Sequence, residues 1–294
     1  MSLTSFLLEN QDVRDRLRTH FKKPAFSTDR SLLAPPQSKR YALIGTAFDY
    51  LLRFYVKRIN PTALESEWVA EQSLTNPLST IIEDATIDYK AKAIISYTET
   101  DLTRKVRRLI DNAKSEYATF IQSGETTDGL LRGALCLAQL DAIYRRGFVD
   151  PDLGVTHSED IQDLKNLISI VDPALFKAKK LCVLNATFGK ASHLVQGADC
   201  DLLIDDMLIE VKTTAKLDFQ TRFFHQIIGY ITLIEIGGVD SVAEKPDVSK
   251  AGIYFSRHAW LFPFDLSQYK KQNDFKQFVT WFKDRANKSF LMPK

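Results

Sequence analysis

Apolar residues recur at helical spacing along most of the chain and switch to strand spacing in its last third. The helical pattern is clearest from residue 41 to residue 59, where Asn60-Pro61 ends it. We predict further helices over 63–74, 102–123 and 129–146. Gly124 and Gly147 directly follow the last two segments, in the position where glycine commonly terminates a helix.

Three short apolar runs in the last third are typical of strands, and we predict strands over 201–204, 207–214 and 251–257. A helix over 219–236, closed by Gly237-Gly238, separates the last two, and a further helix covers 272–288. This order predicts an α/β (α+β) fold with a large helical elaboration before the first two strands.

The chain divides into a leading segment and one domain. Pro35-Pro36 exclude regular helix near the start, and we interpret residues 1–37 as an arm or leader. No linker separates the helical part from the strand part, so residues 38–294 are expected to form a single domain. Within it we place a helical insertion at about 62–180 and a core at about 181–260.

Composition limits the function only weakly. The 294 residues carry a formal net charge of +2, so a nucleic-acid partner would need a local positive patch. Arg104, Arg107 and Arg108 form one such run. Taken alone, the run is better explained as a solvated helix face, and the three arginines are candidate backbone contacts only together with the resemblance described below. Three scattered cysteines argue against a structural zinc site. A charged beginning and the lack of a long apolar run predict a soluble, cytoplasmic protein with no membrane contact.

The stretch GADCDLLIDDMLIEVKTT predicts a hairpin, because only Asp205-Asp206 separates its two strands. With a two-residue turn, Asp201 would face Glu210 and Asp199 would face Lys212, all projecting from one side. The opposite side is expected to be core and carries Cys200, Leu202, Ile204, Ile209 and Val211.

Opposed carboxylates repel each other, so the predicted pair of Asp201 and Glu210 needs compensation. A divalent cation would supply it, since Mg²⁺ is commonly held by one or two carboxylates together with water and phosphate. The alternative is a solvated polar face on which Asp199 and Lys212 form a modest ion pair. Geometry alone leaves both interpretations open.

The residues Asp201-Leu-Leu-Ile followed by Glu210-Val-Lys212 resemble the signature of the PD-(D/E)xK nuclease superfamily. Gln226-Ile-Ile-Gly-Tyr230 on the next helix resembles the Q-x-x-x-Y motif of its RecB-like branch. The resemblance covers about residues 180–260. Gly45-Thr-Ala-Phe-Asp49 stands where RecB-like enzymes carry a Gly-x-x-x-His or acidic element.

That early helix contains a glycine that needs its own explanation. Inside a helix, Gly45 costs about 1 kcal/mol relative to Ala. We therefore expect a close packing contact at this position. Asp49 is a candidate metal ligand by the resemblance, and a surface partner of Arg53 by its spacing.

The resemblance implies a restriction-endonuclease-like mixed central sheet flanked by helices, with Mg²⁺ or Mn²⁺ at the hairpin. It assigns the metal to Asp201, Glu210 and the Val211 carbonyl, with Asp199 competing with Asp201. Lys212 would support the nucleophile or the charge that develops on the phosphate. The candidates for orienting the substrate strand are Gln226, Tyr230 and Arg222, with Arg257 as a further phosphate contact.

The function we expect is hydrolysis of DNA phosphodiester bonds by a metal-dependent nuclease, in repair, recombination or defence against foreign DNA. A protein partner such as a helicase or defence-system component, and a homo-oligomer, fit the same setting. The alternatives are an inactive nuclease-fold module that binds DNA or a protein, and an RNA-cleaving enzyme on the same scaffold.

Overall fold

The computed structural model of the protein describes residues 2–74, 99–271 and 273–291. Within them lies a six-stranded mixed sheet whose strand order follows the sequence. The strands are β1 Leu64–Glu65, β2 Cys182–Thr187, β3 Asp199–Ile204, β4 Met207–Lys212, β5 Lys250–Phe255 and β6 Trp260–Asp265. β1 pairs with β2 and β4 with β5 in parallel, and the other neighbours are antiparallel. The predicted α+β class is confirmed.

Ten helices of the described residues are α1 Leu3–Glu9, α2 Gln11–His20, α3 Tyr41–Ile59, α4 Glu99–Ser123, α5 Asp128–Arg146, α6 Ser158–Ser169, α7 Lys190–Leu194, α8 Thr221–Gly237, α9 Ser267–Lys270 and α10 Asn273–Leu291. The helices predicted at α3, α4, α5, α8 and α10 are confirmed. Gly124 and Gly147 end α4 and α5 with positive φ values of 75° and 65°. None of these helices is both long enough and apolar enough to cross a bilayer.

The segment over 63–74 does not form the α-helix that its pattern predicts. Leu64 and Glu65 instead form β1 beside β2, and a 3₁₀ helix follows at Val69–Leu74. Trp68 donates its indole N–H to Glu65 at 3.2 Å. Strand pairing and this side-chain bond override the local helical preference. The next part of the predicted helical insertion, residues 75–98, lies outside the described residues.

Two hydrophobic cores cover the two faces of the sheet. One packs α3, α4, α5 and α6 against side chains such as Leu184 and Leu202. The other packs α1, α2, α8 and α10 against side chains such as Leu203 and Leu208. Adjacent residues of β3 thus enter opposite cores, as the alternation of a strand buried on both faces requires.

The leading segment, for which the sequence suggests an arm or leader, belongs to the second core. Leu3, Phe6 and Leu17 are buried there, and the backbone N–H of Leu3 donates to the carbonyl of Gly197 at 2.8 Å. The lack of a side chain at Gly229 makes room for this packing, since a Cβ there would lie 2.9 Å from Leu3 Cδ2. The consequence is that Leu3 and Thr4 of α1 line a polar cleft at the open end of the β3–β4 hairpin.

Candidate functional site

The backbone ladder between β3 and β4 ends before it reaches Asp201, so the two strands separate at that residue. Ile204–Met207, Leu203–Leu208 and Leu202–Ile209 pair in the predicted register, and the ladder ends there. The backbone pairings predicted for Asp201 with Glu210 and for Asp199 with Lys212 are not formed. The backbone N–H of Val211 donates instead to Asp201 Oδ2 at 2.6 Å, so the side chain occupies the gap between the strands.

A local break in β2 accompanies this opening. Asn185, which would face Asp201, has a left-handed φ of 52° and takes no part in the ladder of β2 with β3. The side-chain alternation of β3 shifts at this point, because Cys200 lies in the core of α8, opposite to the core of Leu202. The prediction that Cys200 shares a face with Leu202 is therefore wrong, and Val211 is only half-buried.

A cleft of about 440 Å³ lies where the strands separate, between α3 and α5 on one side and α8 on the other. It brings together eight of the residues selected from the sequence, namely Asp49, Asp199, Asp201, Glu210, Val211, Lys212, Gln226 and Tyr230. The arginines selected as nucleic-acid contacts, Arg104, Arg107, Arg108, Arg222 and Arg257, do not line it.

A chain of polar side chains crosses the cleft from β4 to α8. The Lys212 ammonium donates to Glu210 Oε1 at 2.7 Å and to Gln226 Oε1 at 3.4 Å. Gln226 in turn donates to the Tyr230 hydroxyl at 2.7 Å, one helical turn further along. The ion pair of Asp199 with Lys212 that the solvated-face alternative requires is not formed, since Lys212 binds Glu210.

Two carboxylates of the cleft, Asp201 and Glu210, are costly to ionise. Burial, and then the charges of Glu210 and Asp49, raise the pKa of Asp201 well above its ordinary value. Burial also raises the pKa of Glu210, although Lys212 acts against the shift. Glu210 Oε2 is buried and has no hydrogen-bond partner in the described part of the chain. Burial, followed by the charge of Glu210, raises the pKa of Tyr230 well above 10, so its hydroxyl stays protonated.

Two site residues escape the sequence reasoning, Asp141 and Arg145 of α5. Arg145 bridges two carboxylates, with Nε 2.6 Å from Asp141 Oδ1 and Nη2 2.9 Å from Asp199 Oδ2. Asp49 is likewise paired with Arg53, at 2.8 Å. The available signal is an Asp and an Arg four residues apart on one helix, a spacing that places both on one face.

Gly45 lies at the cleft, and the close packing contact expected there does not exist. A Cβ at this position would meet no atom of the described residues within 4 Å beyond its chain neighbours and the backbone of its own helix. The residue lines the cleft one turn before Asp49. Its lack of a side chain therefore leaves open space in the cleft.

The remaining basic candidates differ in their surroundings. Arg222 is exposed over the ring of Phe223, at 5.1 Å, and lines a second cavity of about 280 Å³ that shares Lys212 and Gln226 with the cleft. On α4, Arg104 pairs with Asp101 at 2.9 Å, and Arg107 and Arg108 are exposed. Arg222 is the one of these four that borders the site.

Arg257 has a structural role and not the phosphate contact predicted for it. It is 1% exposed and forms two hydrogen bonds with Asp163, at 2.7 and 3.1 Å. It also donates to the carbonyl of Ala34 at 3.0 Å. The ion pair thereby ties the chain before α3 to α6 and to the end of β5.

Replacing Arg257 with Met is expected to lower the free energy of unfolding by about 3 kcal/mol, because it leaves Asp163 buried and unpaired. Urea unfolding measures the loss. The double variant R257M/D163N should recover part of it, since the unpaired charge is then gone. An unfolding free energy equal to that of the wild type would contradict the structural role.

No group of three or more His, Cys, Asp or Glu side chains within residues 2–74, 99–271 and 273–291 is already arranged to hold a metal ion. A scan against protein-family models finds no match for the chain, and searches of curated proteins and of solved structures find none either. Functional inference therefore depends on the chemistry of the cleft itself.

Proposed function

We propose that the protein is a metal-dependent nuclease that hydrolyses phosphodiester bonds of DNA. The observation that carries this proposal is the Lys212 ammonium held against the buried Glu210, beside the half-buried Asp201 whose backbone ladder is open. The carboxylates of Asp201 and Glu210 outnumber the single ammonium beside them. Such a site suits a phosphate group that binds together with a divalent metal ion, because the metal ion offsets the negative charges.

The residues present fit Mg²⁺ or Mn²⁺. Both ions prefer oxygen ligands, and Mg²⁺ commonly takes one or two carboxylates and completes its shell with water and phosphate oxygens. Asp201 and Glu210 supply two carboxylates, and the unpartnered Glu210 Oε2 is a ligand atom without another bond. The Val211 carbonyl completes the proposed set, while Asp199 and Asp49 are held by Arg145 and Arg53.

Each side chain of the polar chain would have a distinct task. A cation bound there would lower the pKa of a coordinated water and offset negative charge on the phosphate. Lys212 would stabilise the oxygen that gains charge, and its bond to Gln226 fixes the ammonium in place. The protonated hydroxyl of Tyr230 accepts from Gln226 and holds the orientation of its amide, so Tyr230 is not a general base.

The fold adds support at the level of arrangement. The proposed restriction-endonuclease-like core is a mixed sheet with the acidic hairpin at its centre and helices on both faces. β3 and β4 occupy the two central places of the sheet, and α8 connects the parallel strands β4 and β5. This arrangement is compatible with the resemblance of the hairpin and of the Gln226–Tyr230 pair to RecB-like nucleases.

A binding module without hydrolysis is the second candidate. It is favoured by the internal compensation of the carboxylates, since Arg145 binds Asp199 and Lys212 binds Glu210. A cleft whose charges already offset one another has less need of a metal ion, which the proposed hydrolysis would require. Binding and hydrolysis therefore need separate measurements.

The test compares labelled single-stranded DNA, double-stranded DNA and RNA of one sequence, each with Mg²⁺, Mn²⁺ or EDTA. We expect cleavage of DNA in either metal and none in EDTA. Cleavage of RNA alone would change the substrate class. DNA retained without cleavage in any metal would favour the binding module.

A further inference from the structure

The rim of the cleft carries an exposed aromatic side chain. Phe148 is 55% exposed and lines the cleft just beyond the end of α5. Gly147, with its left-handed φ of 65°, ends the helix there and turns the chain. A ring left so accessible adds little to the hydrophobic core, because burial is what stabilises. An isolated exposed aromatic residue is ordinary, so its neighbours decide what it means.

Those neighbours are basic and adjacent to the carboxylates. Arg146 is exposed, lines the same cleft and has no acidic partner among the described residues. The preceding residue, Arg145, reaches Asp199 at 2.9 Å. Three residues span at most about 11 Å, so Phe148 follows closely on the arginine that contacts the acidic cluster.

Resting on the proposed function, we propose that Phe148 and Arg146 form a nucleobase subsite for an unpaired part of the substrate strand. The ring of Phe148 stacks on one base, and Arg146 contacts the adjacent phosphate. Base stacking on an aromatic ring accepts any base, and a nearby cation follows the backbone. A base within a duplex is already stacked and paired, so the subsite selects strands with an unpaired nucleotide at this position.

Binding to a short fluorescent oligo(dT), and to a fully paired hairpin of equal length, tests the subsite by anisotropy. Ca²⁺ is included because the cleft carboxylates would otherwise repel phosphate. Phe148→Ala should weaken oligo(dT) binding roughly 5- to 150-fold, the effect of losing one stacked base. Phe148→Trp should bind oligo(dT) as the wild type does, because indole also stacks on a base. The fluorescence of the introduced indole should fall when the oligonucleotide binds. Arg146→Ala should reduce the slope of log affinity against log salt by about 0.7.

Tyr144 is the matched control. It is 41% exposed on the same helix and does not line the cleft, so Tyr144→Ala should bind as the wild type does. The melting temperatures of Tyr144→Ala and Phe148→Ala should both equal that of the wild type, which separates lost binding from lost folding.

The outcomes distinguish the subsite from the proposed hydrolysis. Equal oligo(dT) affinity of Phe148→Ala and wild type, or tighter binding of the paired hairpin, would overturn the subsite even if DNA is cleaved. Weakened binding by Phe148→Ala in a protein that never cleaves would support the subsite and reject the nuclease. A wild type that binds no oligonucleotide would overturn both.

Discussion

Replacing Asp201 with Asn is expected to abolish metal-dependent hydrolysis and, in the presence of a chelator, to stabilise the fold. Both effects have one cause. Burial, together with the charges of Glu210 and Asp49, raises the pKa of Asp201, so the ionised carboxylate costs free energy in the folded chain. A bound cation would offset that cost. Asn removes the charge, and its side-chain oxygen can still accept the backbone N–H of Val211, which in the wild type donates to Asp201 Oδ2 at 2.6 Å.

The stabilisation should depend on pH with a definite sign. The folded chain holds the Asp201 proton more tightly than the unfolded chain, whose carboxyl titrates near 3.8. Between that pH and the raised pKa the unfolded chain binds fewer protons, so wild-type stability falls as pH rises. Asp201→Asn removes this loss, which we expect to be about 2 kcal/mol for an incompletely paired charge in the cleft. The melting temperatures of Asp201→Asn and of the wild type are measured in EDTA from acidic to mildly alkaline pH. As pH rises, that of Asp201→Asn should come to exceed that of the wild type by about 4 °C.

Asp205→Asn is the matched control, the same chemical change in the same hairpin. Burial acts to raise the pKa of Asp205, but hydrogen bonds from the backbone N–H groups of Lys179, Leu181 and Lys180 outweigh it and keep this pKa below its ordinary value. Neutralising Asp205 should therefore destabilise the fold, by about 1 kcal/mol, and leave hydrolysis unchanged. Asp201→Asn is also expected to lose the rise in melting temperature that Mn²⁺ gives the wild type. Hydrolysis by Asp201→Asn, or a melting temperature that falls as in Asp205→Asn, would contradict the assignment.

The elements of this fold could be predicted where the local pattern alone determines them. The helix of residues 41–59 was predictable to the residue, because its apolar stripe is continuous and Asn60-Pro61 stops it. The two-residue turn at Asp205-Asp206 likewise determined the register of the three strand pairs nearest to it, because the length of the turn fixes which residues face each other. Strand β1 was not predictable, since its two residues are extended only because β2 lies beside them.

The site was predictable as a set of residues but not as a geometry. The hairpin pattern identified Glu210 and Lys212, and the resemblance to the Q-x-x-x-Y motif identified Gln226. These three residues do form one polar chain. The opening of the ladder at Asp201 coincides with the left-handed Asn185 in a third strand, and no local pattern encodes that break in pairing. The partner of Asp199 proved to be Arg145, 54 residues away in sequence. Long-range ion pairs of this kind follow from packing and not from periodicity.

Lys212→Ala is expected to reduce kcat of hydrolysis by roughly 10³, as the loss of one preorganised donor to a developing oxyanion does. The bond to Glu210 at 2.7 Å and the longer one to Gln226 hold the ammonium before substrate arrives, so little reorganisation is needed. Substrate affinity should change far less than kcat, because the charge that Lys212 stabilises is largest in the transition state. Single-turnover cleavage of labelled DNA in Mn²⁺ measures the rate.

Lys216→Ala supplies the control, because it removes the same side chain from an exposed position four residues further along the chain. It should cleave at the wild-type rate.

Lys212→Ala also leaves both oxygens of Glu210 without a partner among the described residues, so the two roles of Lys212 must be separated. If Mn²⁺ still raises the melting temperature of Lys212→Ala, the lost rate belongs to the transition state, whereas an absent rise means that Lys212 acts by holding Glu210. The double variant E210Q/K212A should then be no slower than the worse single variant, since residues that act as one unit lose their effect together. Cleavage by Lys212→Ala at the rate of Lys216→Ala would remove the central element of the proposed mechanism.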